Sequence, residues 1–359
     1  MPRSENHQEG GGPPCVVMES GSGSIKIGWS GEPEPRGVLP CAGLEEAGDA
    51  RPFRDGRVAD WECLEAYWDH AFTNLLNIDT EKCHLLVSCA LHETKDNRER
   101  MIQTLFETFA APHVYIGSPP VFEMYAYGRE NGVVLGSGAQ CTYAVLVHEG
   151  LPDPRTLLRS SVAGETLTKW SAHVLQQAAG GGGAAVPDAL ACAVKERQGA
   201  ASADAAPPPQ KFSLPDGKSI TLSREQQAQL AEPLFNPSLV GEASGGIANL
   251  VGDCLKARDR DGAIESDVFG VDGTAAWFDN IVLAGGSTMF AGLPERLEAE
   301  LQLRTPGAKR PKIAARPERK HAAWVGASML GSLSVMSQMW VSKEEYDETG
   351  PLIVNRKCF

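Results

Sequence analysis

Apolar and polar positions along this chain fall into blocks that predict their own secondary structure. Cys15 to Met18 opens an apolar run, the run breaks in the Gly/Ser-rich stretch after Glu19, and it resumes as IKIGW, the pattern of strand, tight turn and strand. In WECLEAYWDHAFTNLL, residues 61–76, Leu64, Trp68, Phe72 and Leu75 recur at three-to-four-residue steps, which predicts one amphipathic helix. HLLVSCAL, residues 84–91, reads as a buried strand. Asn97 to Phe109 reads as a second helix, and Val114 to Ile116 as a short strand running into a break at Pro119-Pro120. NGVVLGSGAQCTYAVLVHEG, residues 131–150, repeats the strand, turn, strand unit, and like the first it turns at a G-S-G. The duplication predicts two related lobes facing one cleft.

Other stretches carry weaker patterns. Gly31 to Gly56 is polar, rich in Pro and Gly and without a clear period, so it reads as a loop rather than a packed subdomain. AAGGGGAAVPDA (178–189) and AASADAAPPPQ (200–210) read as flexible low-complexity connectors. In KFSLPDGKSITLS, residues 211–223, a D-G turn between alternating strands predicts a hairpin. FDNIVLAGGSTMFAGLPERLEAELQ, residues 278–302, reads as strand, Gly-rich turn and helix, and Ala322 to Met339 as a closing helical run.

Composition changes this picture little. The 359 residues are 42% hydrophobic and 22% charged, ordinary for a globular chain and long enough for two cores. A net charge of -13 disfavours a general nucleic-acid or anionic-membrane role, since phosphates are held by clustered Lys and Arg. One local exception is the basic run Arg304 to His321, with Lys309, Arg310, Lys312, Arg316, Arg319 and Lys320; it suits phosphate or an acidic partner or, more plainly, a solvated loop. The nine cysteines form no C-x-x-C pair and no zinc spacing, so they are expected to be reduced thiols behaving as small hydrophobes in the cytosol or nucleus. The N-terminal residues lack an apolar signal core, and no run approaches the ~18 apolar residues a membrane span needs, so secretion and membrane insertion are not expected.

The candidate chemistry lies in the glycine turns. Gly permits tight, positive-φ backbone and leaves N–H groups exposed, so such a turn can become an anion-binding nest. One G-S-G turn is ordinarily just a hairpin. Two of them, with Lys26 three residues beyond the first and Gly285-Gly286 expected to open a helix, point to phosphate.

These residues also carry a resemblance. IVLAGGSTMFAGLPERLEAEL, PERKHAAWVGASMLGSL and MWVSKEEYDETGPLIVNRKCF are similar to the closing segments of actin position by position. ESGSGSIKIGWSGEPEPRGVLP resembles the family's first phosphate loop, and NRERMIQTLFETFAAPHVYIG and SLPDGKSITL place the middle. The chain is thus identified as a divergent member of the actin family. The resemblance implies an α/β, actin-like two-lobed fold of the sugar-kinase and chaperone-ATPase type, with a nucleotide cleft between the lobes and the small outer insertion subdomain largely missing. It implies a tail over 1–14, a first lobe over 15–125 with that subdomain reduced to the 31–60 connector, and a second lobe over 126–320 with an inserted subdomain near 165–255. The 321–359 segment returns to the first lobe.

Carried over by position, the resemblance assigns Ser22, Gly23, Ser24 and Lys26 to the first phosphate loop and Gly138 to the second. Adenine and ribose contacts fall to Gly164, Lys195, Glu196, Gly285, Gly286, Met289, Phe290 and Lys320, although Lys320 reads equally as a salt-bridging helix residue. Tyr125, Leu330, Leu333 and Met339 match the family's apolar cleft for the amphipathic helices of regulators, and core packing explains them equally. The implied ligand is ATP or ADP, weakly held. Implied partners are actin, actin-binding proteins or a multi-subunit complex, in the cytoplasm or nucleus, with no direct nucleic-acid contact.

The pattern fails where hydrolysis is organised. The position of the family's water-orienting glutamine is Pro119, which offers no side-chain hydrogen bond. The usual D-S-G-D of the second loop is Gly136-Ser137-Gly138-Ala139, so both carboxylates that would steady a hydrated magnesium ion are gone and only Glu19 remains. The expectation is a structural subunit without ATPase activity and without a bound metal. The alternative is a polymerising, ATP-binding actin that hydrolyses slowly; an enzyme of the wider superfamily fits the C-terminal segments least.

Overall fold

The computed structural model describes residues 14–47, 50–181, 185–214, 217, 219–260, 277–304 and 310–358. The tail up to residue 13, Asp216 of the expected D-G turn and Lys309 of the basic run lie outside them. The described residues fall into two compact units, one running to Arg129 and resuming at His321, the other spanning Glu130–Lys320.

The first unit is built on a six-stranded mixed sheet. Its order is Val341–Ser342, His113–Gly117, His84–Ser88, Cys15–Ser20, Ser24–Trp29, Gly37–Pro40. Cys15–Ser20 pairs in parallel with His84–Ser88, which pairs in parallel with His113–Gly117. Strands covered on both faces must be apolar throughout, and Val16, Val17, Met18, Leu85, Leu86 and Val87 are all at most 1% exposed. The antiparallel hairpin of Cys15–Ser20 and Ser24–Trp29 extends the sheet on one side. The returning Val341–Ser342 closes it on the other, against His113 and Val114.

The helix expected over 61–76 begins at Trp61, where Asp60 caps it by accepting from the Cys63 amide. Leu64, Trp68 and Phe72 are buried as the spacing predicts, while Leu75 is exposed. After His70 the helix widens into a π-helical turn, Ala71–Leu76, that ends on Asn77 in the left-handed region at φ 51°. Trp68 Nε1 donates to Ser20 Oγ at 3.0 Å and so ties this helix to the turn of the first hairpin. The second helix runs Lys95–Glu107, two residues earlier at each end than its apolar period indicates, because Thr94 caps it through the Asn97 amide.

Two features differ from the reading above. The 31–60 stretch is not simply a loop: Gly37–Pro40 is the sixth strand, and Cys41, Leu44, Phe53 and Val58 are buried in the core of this unit. Its apolar residues stand singly among Pro and Gly, so each is fixed by long-range packing that leaves no local period. The prolines at 119 and 120 start a helix, Pro119–Ala126, instead of ending a segment. At the first helical positions the missing N–H costs nothing and the fixed φ suits the helix.

That helix packs on Ala322–Gly331 at a close crossing. A Cβ on Gly326 would lie 1.6 Å from the Phe122 carbonyl oxygen, so only glycine fits there. The closing helical run is in fact two pieces, Ala322–Gly331 and Met336–Met339.

In the second unit the sheet order is Leu151–Pro152, Thr142–His148, Gly132–Ser137, Ile281–Ala284, Ile313–Ala314, with Leu158–Ser160 also on Thr142–His148. The hairpin Gly132–Ser137 and Thr142–His148 is antiparallel, and Ile281–Ala284 joins it in parallel. Between them comes Gly164–Ala178, an amphipathic helix that the reading above passed over, burying Leu167, Val174 and Leu175. Asp188–Gln198 follows.

AASADAAPPPQ is no free connector. Ala200, Ala201 and Ala206 are buried, and the Ala201 amide donates to the Ala291 carbonyl at 2.8 Å. Alanine-rich sequence here reflects close backbone approach. The hairpin of Lys211–Ser213 and Ser219–Thr221 forms as expected. Gly285-Gly286 does not open the long helix: a single 3-10 turn, Gly286–Thr288, intervenes, and the helix is Leu293–Arg304. Among the described residues no helix is long and apolar enough to cross a membrane.

Two outcomes are expected. Gly326→Ala forces the Pro119–Ala126 and Ala322–Gly331 helices apart and should cost about 3 kcal/mol or more in urea unfolding. His84 and His113 stack with ring centroids 4.4 Å apart, and Trp340 meets His84 edge-on at 5.0 Å. Burial, then the neighbouring His113, depress the His84 pKa to about 4. The unfolded chain therefore binds this proton first, so stability is full above pH 6.5 and is lost as pH falls towards 4. Melting temperature followed across that window should fall more in the wild type than in His84→Leu.

Candidate functional site

Each unit presents a G-S-G turn, and the two turns are built differently. In the first hairpin, Ser22 and Gly23 form the turn, with Ser24 opening the second strand. The Gly21 amide donates to the Ser24 carbonyl at 3.2 Å. Cys41, just past the sixth strand, fastens the turn through its amide to the Gly23 carbonyl at 3.1 Å and through Sγ to the Gly21 carbonyl at 3.1 Å. Burial pushes the Cys41 thiol up to about 12, so it stays a neutral thiol. Behind the turn, Glu19 and Lys26 are direct cross-strand partners. Lys26 is 8% exposed, and its Nζ donates to Glu19 Oε1 at 2.5 Å.

Pro119, in the same unit, follows Ser118 at the N-terminus of its helix. Its ring offers neither donor nor acceptor.

In the second unit the turn is stitched from three sides. The Gly138 amide donates to the Cys141 carbonyl at 3.0 Å, and Ser137 Oγ and Thr142 Oγ1 lie 2.7 Å apart. The Gly138 carbonyl accepts from the Gly164 amide at 2.9 Å and from Ser287 Oγ at 2.8 Å. The Ala139 carbonyl accepts from the Glu165 amide at 2.7 Å. The first amides of the Gly164–Ala178 helix, which elsewhere would face an anion, are thus given to this turn. Gly136 lies directly opposite Tyr143 in the hairpin, and a Cβ on it would meet the phenol ring at 2.4 Å from Cζ.

Around this turn the structure gathers most of the remaining expected residues. Lys195 is 8% exposed and its Nζ donates to the Gly164 carbonyl and to Thr168 Oγ1, both at 2.8 Å. Burial lowers its pKa; Lys320 adds to the lowering, while Cys192 and Glu196 oppose it. Glu196 is exposed on the same helix. Gly285 has φ +86°, and a Cβ there would sit 2.3 Å from the Ser137 carbonyl oxygen. A Cβ on Gly286 would stand 3.8 Å from Lys320 Cγ, so the lysine stem lies along the glycine turn. Phe290 is buried with its ring against Gly199, and Met289 is 39% exposed.

Sequence reasoning missed several residues here. Thr168 and Ser287 hold the lysine and the turn, and Arg319, 8% exposed, braces the same region by donating to the Thr288 carbonyl at 2.9 Å. Helical spacing one turn from Gly164 marks Thr168. Nothing local marks Ser287; Arg319 stands in the basic run that reads as a solvated loop, yet its guanidinium is buried against Thr288.

The expected apolar cleft divides. Leu330 is 5% exposed and belongs to the core of the first unit, while Tyr125 and Met339 are partly buried against that core. Leu333 is 55% exposed, with Met329 and Val335 exposed beside it. Among the described residues no group of three His, Cys, Asp or Glu is placed to hold a metal ion.

A mixed α/β chain of two units, each holding a hairpin with a glycine turn, has the architecture of the actin-like proteins. The actin family model matches residues 46–180 and 188–359, and human actin-like protein 7B is 32% identical over 380 residues, covering 96% of this chain and 88% of that protein. This chain belongs to the actin family.

Gly285→Ala should lose about 2 to 4 kcal/mol, from a left-handed φ that alanine resists plus the clash with Ser137. Chemical denaturation reads that loss, and an unchanged midpoint would contradict the geometry.

Proposed function

We propose that this actin-family chain is a structural or adaptor subunit that does not turn over ATP. One observation carries the reading: in the second turn the positions of both carboxylates are Gly136 and Ala139, and the Tyr143 ring occupies the space over Gly136. The residues present do not fit a hydrated magnesium ion, which wants fixed oxygen ligands to hold its waters. Glu19, the remaining carboxylate, is engaged with Lys26. Pro119 cannot orient an attacking water. If each lost positioning group costs on the order of a hundredfold, turnover falls below any useful rate even with non-additivity.

The binding surfaces of the family suit such a role. Tyr125, Leu333 and Met339, with exposed Met329 and Val335, form the candidate seat for an amphipathic helix of a protein partner. Among the described residues of the short 31–60 segment, Cys41, Leu44, Phe53 and Val58 pack into the core, which favours a chain without the family's usual longitudinal contact. We therefore place this subunit at a filament end or in a larger complex, in the cytoplasm or nucleus.

A second reading, a polymerising ATP-binding actin with slow hydrolysis, draws on the ordered arrangement of Gly164, Lys195, Gly285, Gly286 and Lys320. Phosphate release and sedimentation in polymerising salt separate the two. The purified chain with ATP and magnesium should release phosphate no faster than buffer and should stay in the supernatant; release at the rate of ordinary actin would sink the proposal.

A further inference from the structure

We propose that Glu19 is a built-in anion of the first hairpin: it holds the Lys26 ammonium in place of a phosphate, so this turn is neutralised from within and closed to nucleotide phosphates. The inference deepens the reading above and rests on the first hairpin being the phosphate loop.

The pair is fixed by register. Glu19 and Lys26 stand directly opposite on adjacent antiparallel strands, so their side chains leave the same face of the sheet at the closest cross-strand spacing. The flanking residues Met18, Ile25 and Ile27 are at most 1% exposed, which leaves little freedom to either strand. The two side chains are 10% and 15% exposed and meet at 2.5 Å. A glutamate at this position reaches across the ladder to the ammonium.

The energetics favour keeping the pair closed. An arriving phosphate has two routes. It can displace the carboxylate, leaving a charge in a nearly dry place where Glu19 Oε2 already lacks a hydrogen-bond partner among the described residues. It can instead sit beside the carboxylate and meet like-charge repulsion at short range. By the second route the ammonium still has N–H donors to offer, but its charge is already balanced by Glu19, so the ligand gains far less than an unpaired lysine would give it. The turn needs no ligand for its own order, because the Cys41 amide and thiol already hold its carbonyls.

The test uses the full chain as wild type, Glu19→Gln, Lys26→Gln and the double variant. Thermal shift and equilibrium binding are read with inorganic tripolyphosphate and with ADP, each with and without magnesium, at low and moderate salt. The wild-type midpoint should be insensitive to tripolyphosphate. Glu19→Gln should melt lower in plain buffer and be restored by tripolyphosphate, binding it about tenfold to a hundredfold more tightly than wild type, the value of one charge-assisted hydrogen bond. The double variant should lose that gain.

Wild type binding as tightly as Glu19→Gln, or a gain that survives in the double variant, would overturn the proposal. If Glu19→Gln does not fold, Lys26→Gln decides. A drop in affinity relative to wild type means that Lys26 is already a phosphate ligand and the idea is wrong; no change supports it. Phosphate release measured on the same samples keeps the two readings apart, since turnover by the wild type strikes the structural-subunit reading and not the ion pair.

Discussion

Much of the second unit hangs on one carbonyl oxygen. Gly138 O accepts from the Gly164 amide and from Ser287 Oγ, so a hairpin turn, the start of a fifteen-residue helix and the glycine turn after Ile281–Ala284 converge on a single acceptor. A carbonyl has two lone pairs and both are used. Gly164 in turn gives its own carbonyl to Lys195, which carries the arrangement to the next helix. The elements that resemble an adenine and ribose site are therefore held to one another by hydrogen bonds onto backbone carbonyls, from an amide, a hydroxyl and an ammonium.

The first unit secures its turn differently. Its glycine turn is fastened by Cys41, and Lys26 behind it meets the carboxylate across the ladder. Two hairpins of similar outline are thus finished by different means. In one a lysine is paired with a glutamate; in the other an aromatic ring lies over Gly136 and the first amides of the neighbouring helix are given to the turn. Similar shape carries different local chemistry in the two units.

Much of this was legible in the residues, and the failures have identifiable physical causes. Apolar runs such as Val16–Met18 and Leu85–Val87, and the three-to-four-residue spacing of Leu64, Trp68 and Phe72, state their structure locally because burial on a sheet or helix face imposes a period. Gly37–Pro40 and the buried Ala200 and Ala201 do not, since their places are set by distant partners and small residues carry no periodic signal. The prolines at 119 and 120 misled because the same ring that ends a helix from within begins one at its N-terminus. At the candidate site the glycines and Lys195 are named by family resemblance, and the structure brings Gly138, Gly164, Lys195 and Gly285 together. The ring over Gly136 and the bracing by Ser287 and Arg319 emerge only from side-chain placement.

Tyr143 limits what the second hairpin tolerates. Its ring lies 2.4 Å from where a Cβ on Gly136 would stand, so any side chain added there requires the phenol to swing aside. A variant carrying both in place would be crowded, and one carrying neither would leave a hollow beside the turn. The two positions are thus coupled: a change at either is best borne when the other changes with it.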